Sequence, residues 1–376
     1  MVLGSAPLGS KALGEGGSAR LPLAAQTMFA ELIQRAIDAE FDSRYDERGR
    51  FYKIRSRRFQ YWYYRRRMDG VERNEYVGPV RDKDLTRRIK EFDRIKADFR
   101  ERRTLVRSLL AARLPRPDPI TAAVVEAMWK AGFFRLRGVM VGSSAFQCYA
   151  GLLGYRLPGA QLRTEDADFA LDFEIAQKVE DTMPDFLEVL HTVDGTFRAI
   201  PHHSDRARVS RFVNDQNFKI DFLTPNRGSD ENQAKPAKMP ALGGAGAQPL
   251  RHLDFLIRDP VRSALLYKGG LPVTVPAPER YAVHKVLLSS ERTQNMAKSR
   301  KDITQAETLI SILRGTRPLE LIEAWQEAWQ RGPRWRTKMR AGFARLGERA
   351  QDCLRSAASE FAGDPGIAAD DIGLGE

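Results

Sequence analysis

Cysteine is almost missing from this chain. Cys148 and Cys353 are the only two in 376 residues, which excludes a disulfide scaffold and a cysteine-rich zinc module. No stretch approaches the roughly 18 apolar residues that cross a bilayer, so no membrane partner is expected. The opening MVLGSAPLGSKALGEGG lacks a charged segment followed by an apolar one, and no secretory signal is read there. Walker loop, dinucleotide fingerprint and serine-hydrolase elbow are all lacking. The hydrophobic fraction, 42%, is too high for a chain that stays unfolded. These absences leave a soluble, cytoplasmic protein as the expectation.

What the chain does have is unevenly placed charge. The formal net charge is +12, yet residues 43–116 alone hold 24 Lys+Arg and 11 Asp+Glu, a local excess of +13. Everything outside that segment sums to −1. Such concentration is the footprint of a phosphate-rich partner and predicts salt-sensitive binding.

At about 100–200 residues per domain, the length predicts two domains or one domain with an appendage. Residues 1–28 read as a flexible leader, because Gly, Ala, Ser and Leu recur there without period. Residues 29–116 read as a basic hairpin–helix arm. Phe29, Leu32, Ile33 and Ile37 share one face of a helix over 29–41. Two strands, 58–67 and 71–77, flank Asp69-Gly70, a dipeptide that supplies the φ > 0 position of a tight hairpin. A charged helix over 81–110 follows, with Leu85, Ile89, Phe92, Ile95 and Phe99 as its apolar stripe. After LPRPDP, residues 117–275 read as a mixed core. It contains helix 120–132, strand 136–142, helix 143–153, strand 166–171, helix 174–191 and strands 208–213 and 218–224. A Gly/Pro/Ala-rich loop, 225–249, then precedes LDFLI at 253–257. Residues 276–362 read as helices broken near Gly315–Pro318 and at Gly332-Pro333, and 363–376 as a disordered tail.

Three features of the core carry chemistry. Gly142-Ser143 stands where a buried strand meets a helix, and such a junction lets a phosphate approach free backbone N–H groups. Asp166 and Asp168 open an apolar strand, where positions i and i+2 point to the same side. Two carboxylates so placed make a hard-oxygen site suited to magnesium. Asp221, in FKIDFLT, is a further carboxylate in an apolar strand, costly there unless paired or bound to a cation. Three such groups can hold two magnesium ions about 3.5–4 Å apart, as in phosphoryl displacement. An Asp-x-Asp alone is weak evidence. Asp82-Lys83-Asp84 is a second one and reads as a solvated helix start.

The order strand, Gly-Ser, helix, Asp-x-Asp, then a later strand Asp resembles the nucleotidyltransferase fold of DNA polymerase beta. A closer resemblance is to a bacterial family of nucleotidyltransferase-like proteins. Its members carry the YWYY…DG…YVGP hairpin in front and, behind, the segment matched here by Pro276, Glu279-Arg280 and His284-Lys285. The chain is also similar to toxin components of abortive-infection toxin–antitoxin systems, which implies an antitoxin as a partner. These resemblances imply an α+β fold: a mixed sheet with flanking helices, the basic hairpin and long helix before it and helices after it. They imply a nucleoside triphosphate as substrate, with Gly142 and Ser143 on its phosphates. They further imply that Asp166, Asp168 and Asp221 bind two magnesium ions, and that Asp221 also activates the acceptor hydroxyl. The 22 residues between Ser143 and Asp166 exceed the compact pattern of the superfamily.

Other residues have two readings each. Lys285 either contacts phosphate, as the resemblance implies, or snorkels beside an apolar helix face. Trp62 and Tyr64 with Arg65, Arg66 and Arg67 either contact RNA or DNA or belong to a sheet packed on the following helix. Strand alternation puts Tyr61 and Tyr63 on one side and Trp62 and Tyr64 on the other, so one pair packs. His202, His203 and Asp205 read as a surface loop, Trp325 and Trp329 as helix packing, and Cys148 as core. The expected activity is magnesium-dependent transfer of a nucleoside monophosphate from NTP to a hydroxyl on RNA or protein. The alternatives are a nucleic-acid-binding protein with a degenerate transferase fold, or a toxin.

Overall fold

The structure is a computed structural model. It describes residues 18–38, 49–56, 59–68, 71–160, 166–172, 183–201, 209–226, 236–243, 245–292, 295–363 and 368–375. The turn at Asp69-Gly70, the loop at His202, His203 and Asp205, and the first part of the expected leader lie outside these residues. The chain divides into two compact units. One comprises Leu23–Leu152 and Arg163–Ala277; the other comprises Met1–Pro22, Leu153–Leu162 and Pro278–Glu376.

The first unit begins with α1 (Leu23–Asp38), which starts six residues earlier than the sequence predicts because Leu23–Met28 continue its helix. A three-stranded antiparallel sheet follows: β1 (Arg50–Ser56), β2 (Phe59–Met68) and β3 (Val71–Pro79). Strands β2 and β3 pair as expected, with Met68 opposite Val71. Strand β1 goes unpredicted because RFYKIRS interleaves three cations with its aromatic and apolar residues, masking period-2 alternation. The long helix α2 (Lys83–Ala111) lies against one side of this sheet. There Tyr64, 1% exposed, meets Phe92 edge-on at 6.2 Å and Phe51 at 5.0 Å. Beside it, Trp62 donates its indole N–H to Thr86 Oγ1 at 3.0 Å. Trp62 and Tyr64 are thus the pair that faces α2, Tyr64 buried and Trp62 half-buried, so the packed alternative describes this side of the sheet. Tyr61, Tyr63 and Tyr76 occupy the opposite face.

Asp118 caps α3 (Pro119–Lys130) by accepting from the Ile120 N–H, with Pro119 in the first turn, where its missing N–H costs nothing. Next come β4 (Val139–Val141), α4 (Gly142–Leu153), β5 (Asp166–Ala170), α5 (Phe186–His191), β6 (Arg198–Ile200), β7 (Arg211–Val213) and β8 (Lys219–Pro225). Two further strands, β9 (Ala237–Lys238) and β10 (Gly246–Leu250), arise inside the expected loop 225–249, where Gly, Pro and Ala show no alternation. LDFLI forms a single helical turn, α6 (Leu253–Leu256), followed by the unpredicted hairpin β11 (Val261–Leu265) and β12 (Leu271–Val275). Among the described residues, seven strands form one mixed sheet with the path β4-β5-β8-β10-β9. Strand β7 pairs with both β6 and β8. The β5–β8 and β8–β10 pairs are parallel and the rest antiparallel. One face is sealed by Phe133, Phe169, Phe186, Phe212 and Phe222, with neighbouring ring centroids 4.5–6.3 Å apart.

The second unit is helical: α7 (Pro278–Glu291), α8 (Met296–Thr316), α9 (Pro318–Gln330), α10 (Pro333–Phe343) and α11 (Glu348–Glu360). The breaks fall at Pro318 and at Gly332-Pro333, as proline and glycine dictate. Both ends of the chain add to this unit. Leu21 N–H donates to Gly154 O at 2.7 Å and Arg156 N–H to Ala19 O at 2.8 Å, so residues 19–22 are paired backbone. The tail past 363 packs too: Ile372 and Leu374 are buried, and Trp325 donates its indole N–H to Ile372 O at 3.0 Å. Acidic and glycine-rich composition hides these two apolar anchors from a sequence reading. Among the described residues, no helix is long and apolar enough to cross a membrane.

The two faces of the small sheet differ in what they bear. Tyr64→Ala is expected to cost about 3–5 kcal/mol, the usual range for emptying a buried aromatic site. Tyr76→Ala, at a position 54% exposed, is expected to stay within about 0.5 kcal/mol. Urea unfolding of the two variants measures the contrast.

Candidate active site

The site is built where β4 turns into α4. Gly142, the first residue of α4, has φ +68°, a conformation that an L side chain adopts only with strain. Space forbids a side chain as well, because a Cβ there would stand 2.5 Å from Asp168 Oδ2. The glycine thus lets a strand carboxylate approach the start of a 12-residue helix, where the helix dipole favours negative charge. Ser143 follows, half-buried, at the same helix start. Ser144, the second hydroxyl of the Gly-Ser-Ser run, is buried in the core.

Register does the rest. In the parallel β5–β8 pair, Asp166 stands opposite Lys219 and Asp168 opposite Asp221. In the antiparallel pairs, Val141 stands opposite Asp168, and Arg211 opposite Asp221. Val141, Asp168, Asp221 and Arg211 therefore form one row across four strands, with Gly142 immediately beyond its end. Alternation puts Asp166, Asp168 and Asp221 on one face of the sheet, while Ala167, Phe169, Ile220 and Phe222 enter the buried core on the other. The three carboxylates share a face without closing into a cage. Among the described residues, no group of three or more His, Cys, Asp or Glu is gathered tightly enough to hold a metal.

Arg211 is the member of this site that sequence reading misses. Its Nε donates to Asp221 Oδ1 at 2.6 Å and its NH2 to Oδ2 at 3.0 Å, a bidentate pair. Its pKa is raised, first by that hydrogen bond, against desolvation, and then by attraction to Asp221, Asp168 and Asp166. One guanidinium thus feels all three carboxylates. Its side chain is 52% exposed against 18% for Asp221, so the arginine is the partner able to leave. The β7–β8 turn sets this opposition. Buried Asn214 accepts from the N–H groups of Gln216 and Phe218 through Oδ1, and Asn217 takes φ +60°. A strand arginine three residues before the Asn214–Asn217 turn and an aspartate four residues after it are the signal that pairs them.

Lys285 belongs to the helical unit. Its ammonium donates to Asp302 Oδ1 at 2.6 Å, and Arg292 donates to Asp302 Oδ2 at 2.6 Å. Burial lowers the Lys285 pKa, opposed by the Asp302 charge and hydrogen bond. Lys285 is thus held in a buried ion pair, and Asp302 accepts from two cations. Trp325 and Trp329 pack as expected, and burial pushes the Cys148 thiol up to about 12, keeping it neutral.

This arrangement sets a graded expectation. Asp302→Ala leaves Lys285 a buried cation without its partner and is expected to cost about 3–5 kcal/mol, whereas Lys285→Met leaves Asp302 its Arg292 and costs less. Chemical denaturation gives the stabilities.

No curated protein and no solved structure matches this chain. A family model described as nucleotidyltransferase matches residues 120–330, more than half of the chain. That span holds the β4–α4 junction, Asp166, Asp168, Arg211 and Asp221, while the three-stranded sheet lies before it. The chain belongs to this nucleotidyltransferase family.

Proposed function

We propose that the chain transfers a nucleoside monophosphate from a nucleoside triphosphate to an acceptor hydroxyl on RNA or protein, with Asp166, Asp168 and Asp221 holding magnesium. The observation that carries this reading is the row in which Asp168 and Asp221 stand side by side, next to Gly142 and on the face that bears Asp166.

The donor set consists of carboxylate oxygens only, the ligands magnesium prefers. When bound, magnesium supplies charge neutralisation to the triphosphate and to the attacking and leaving oxygens. The α4 N-terminus, with the Ser143 hydroxyl, receives phosphate oxygens at the positive end of the helix dipole. Asp221, once released by Arg211, accepts the proton of the acceptor hydroxyl. The hydroxyl oxygen bonds to the α-phosphorus, the bond to the bridging oxygen breaks, and pyrophosphate departs. Arg211 has a role on each side of this event. It offsets the charge of Asp221 before substrate arrives, and its planar donors then match phosphate oxygens.

The deciding experiment incubates the full chain with each labelled nucleoside triphosphate, magnesium, and total RNA or protein. Wild type is expected to label an acceptor; Asp166→Asn/Asp168→Asn and a magnesium-chelated control are not. Equal labelling by the double variant overturns the assignment of these carboxylates. A separate measurement concerns Arg211. In Arg211→Met, Mn²⁺ titrated without nucleotide and followed by electron paramagnetic resonance is expected to bind more tightly than in wild type. Unchanged metal affinity removes the gatekeeping role.

A further inference from the structure

The outward face of the β1–β3 sheet is a platform that the transfer chemistry does not use. Registry places Tyr52, Tyr63 and Tyr76 in one row across the three strands, with Ile54 and Tyr61 as the row beside it and Arg50, Arg65 and Asn74 on the other flank. The rings lie against each other: Tyr52–Tyr63 at 6.0 Å, Tyr63–Tyr76 at 5.6 Å and Tyr61–Tyr76 at 5.9 Å. Arg65 lies over the Tyr52 ring at 4.6 Å and is steadied by Asn74 Oδ1 at 3.1 Å, with Glu72 at 3.6 Å. Exposed Ile54, Phe59 and Tyr76 extend the patch.

A protein that only needed a stable sheet would bury its aromatic residues and leave polar ones outside. The inner face buries Tyr64 against α2, with half-buried Phe51 and Trp62 beside it. On the outer face Tyr76 is exposed and Tyr52, Tyr61 and Tyr63 are half-buried against neighbouring rings, in the segment that carries the local excess of +13. We propose that this face binds single-stranded nucleic acid, with bases stacked on Tyr52, Tyr61, Tyr63 and Tyr76 and the phosphates balanced by Arg65 and the surrounding cations.

The dimensions agree. Strands lie about 4.8 Å apart and same-face residues about 6.8 Å apart along a strand, which gives a platform roughly 10 Å across, room for two or three splayed bases. Stacking on these rings requires bases that are not already stacked in a helix. A hydrophobic protein partner would leave the cations unmatched, whereas a polyanion uses rings and charges together. The assignment stands apart from the carboxylate chemistry, because the platform lies outside the residues matched by the family model.

The test is fluorescence anisotropy of the full-length chain with a labelled, mixed-sequence single strand on the order of 15 nucleotides, across a salt series, without magnesium or nucleoside triphosphate. Wild type is expected to bind with a steep negative salt dependence. Tyr76→Ala, at an exposed position that leaves the fold intact, is expected to weaken binding roughly 5- to 100-fold with its salt slope unchanged. Tyr76→Phe keeps the ring and is expected to retain wild-type affinity. Arg65→Ala is expected to lower the slope by about one. Asp166→Asn/Asp168→Asn is expected to bind as wild type, which separates this proposal from the transfer reading. Binding of the same-sequence duplex as tightly as the single strand, wild-type affinity in Tyr76→Ala, or retention by phosphatidylserine vesicles without strand binding would each overturn it.

Discussion

Everything chemical in this protein depends on the pairing of β5 with β8, which sets two aspartates side by side. Adjacent carboxylates repel, and a sheet that holds Asp168 opposite Asp221 must offset that cost. Three features do so. The phenylalanines behind the sheet bind the two strands through their other faces, so register cannot slip without turning a charge into the core. The helix start at Gly142 receives Asp168 with its positive end. Arg211 receives Asp221 with two hydrogen bonds. Remove the pairing and none of these has a purpose.

The arginine gives the site its resting state. With Arg211 in place, Asp221 is occupied and part of the negative charge of the acidic face is offset. A half-exposed arginine can exchange a carboxylate for a phosphate at little cost, since both suit its planar fork. In the proposed reaction, substrate arrival and metal binding are one coupled event.

The small sheet shows a different economy. One set of alternating side chains closes against α2 and provides stability; the other is left as an aromatic surface among cations. Charge excess alone points to a phosphate-rich partner, but only the division of tyrosines between faces says what else that partner presents. The helical unit draws in parts that composition marks as loose, namely residues 19–22 and the segment around Ile372.

Local chemistry was legible in the residues themselves. The strand–glycine–helix junction, the same-face pair Asp166 and Asp168, the Asp221 strand, the amphipathic α2 and the proline breaks follow from periodicity and backbone preference, which act over a few residues. What required the tertiary structure acts between segments distant in sequence. Alternation could divide Tyr61 and Tyr63 from Trp62 and Tyr64, but not say which pair meets α2. Nothing local shows that Lys285 shares Asp302 with Arg292, because that depends on how α7 packs on α8. Strand β10 has no pattern of its own and exists because the edge of β8 is there to pair with it. Arg211 reads alone as one more surface cation, and only the β7–β8 register makes it the counterion of the acidic row. Propensity is a property of a segment, whereas register and burial are properties of two.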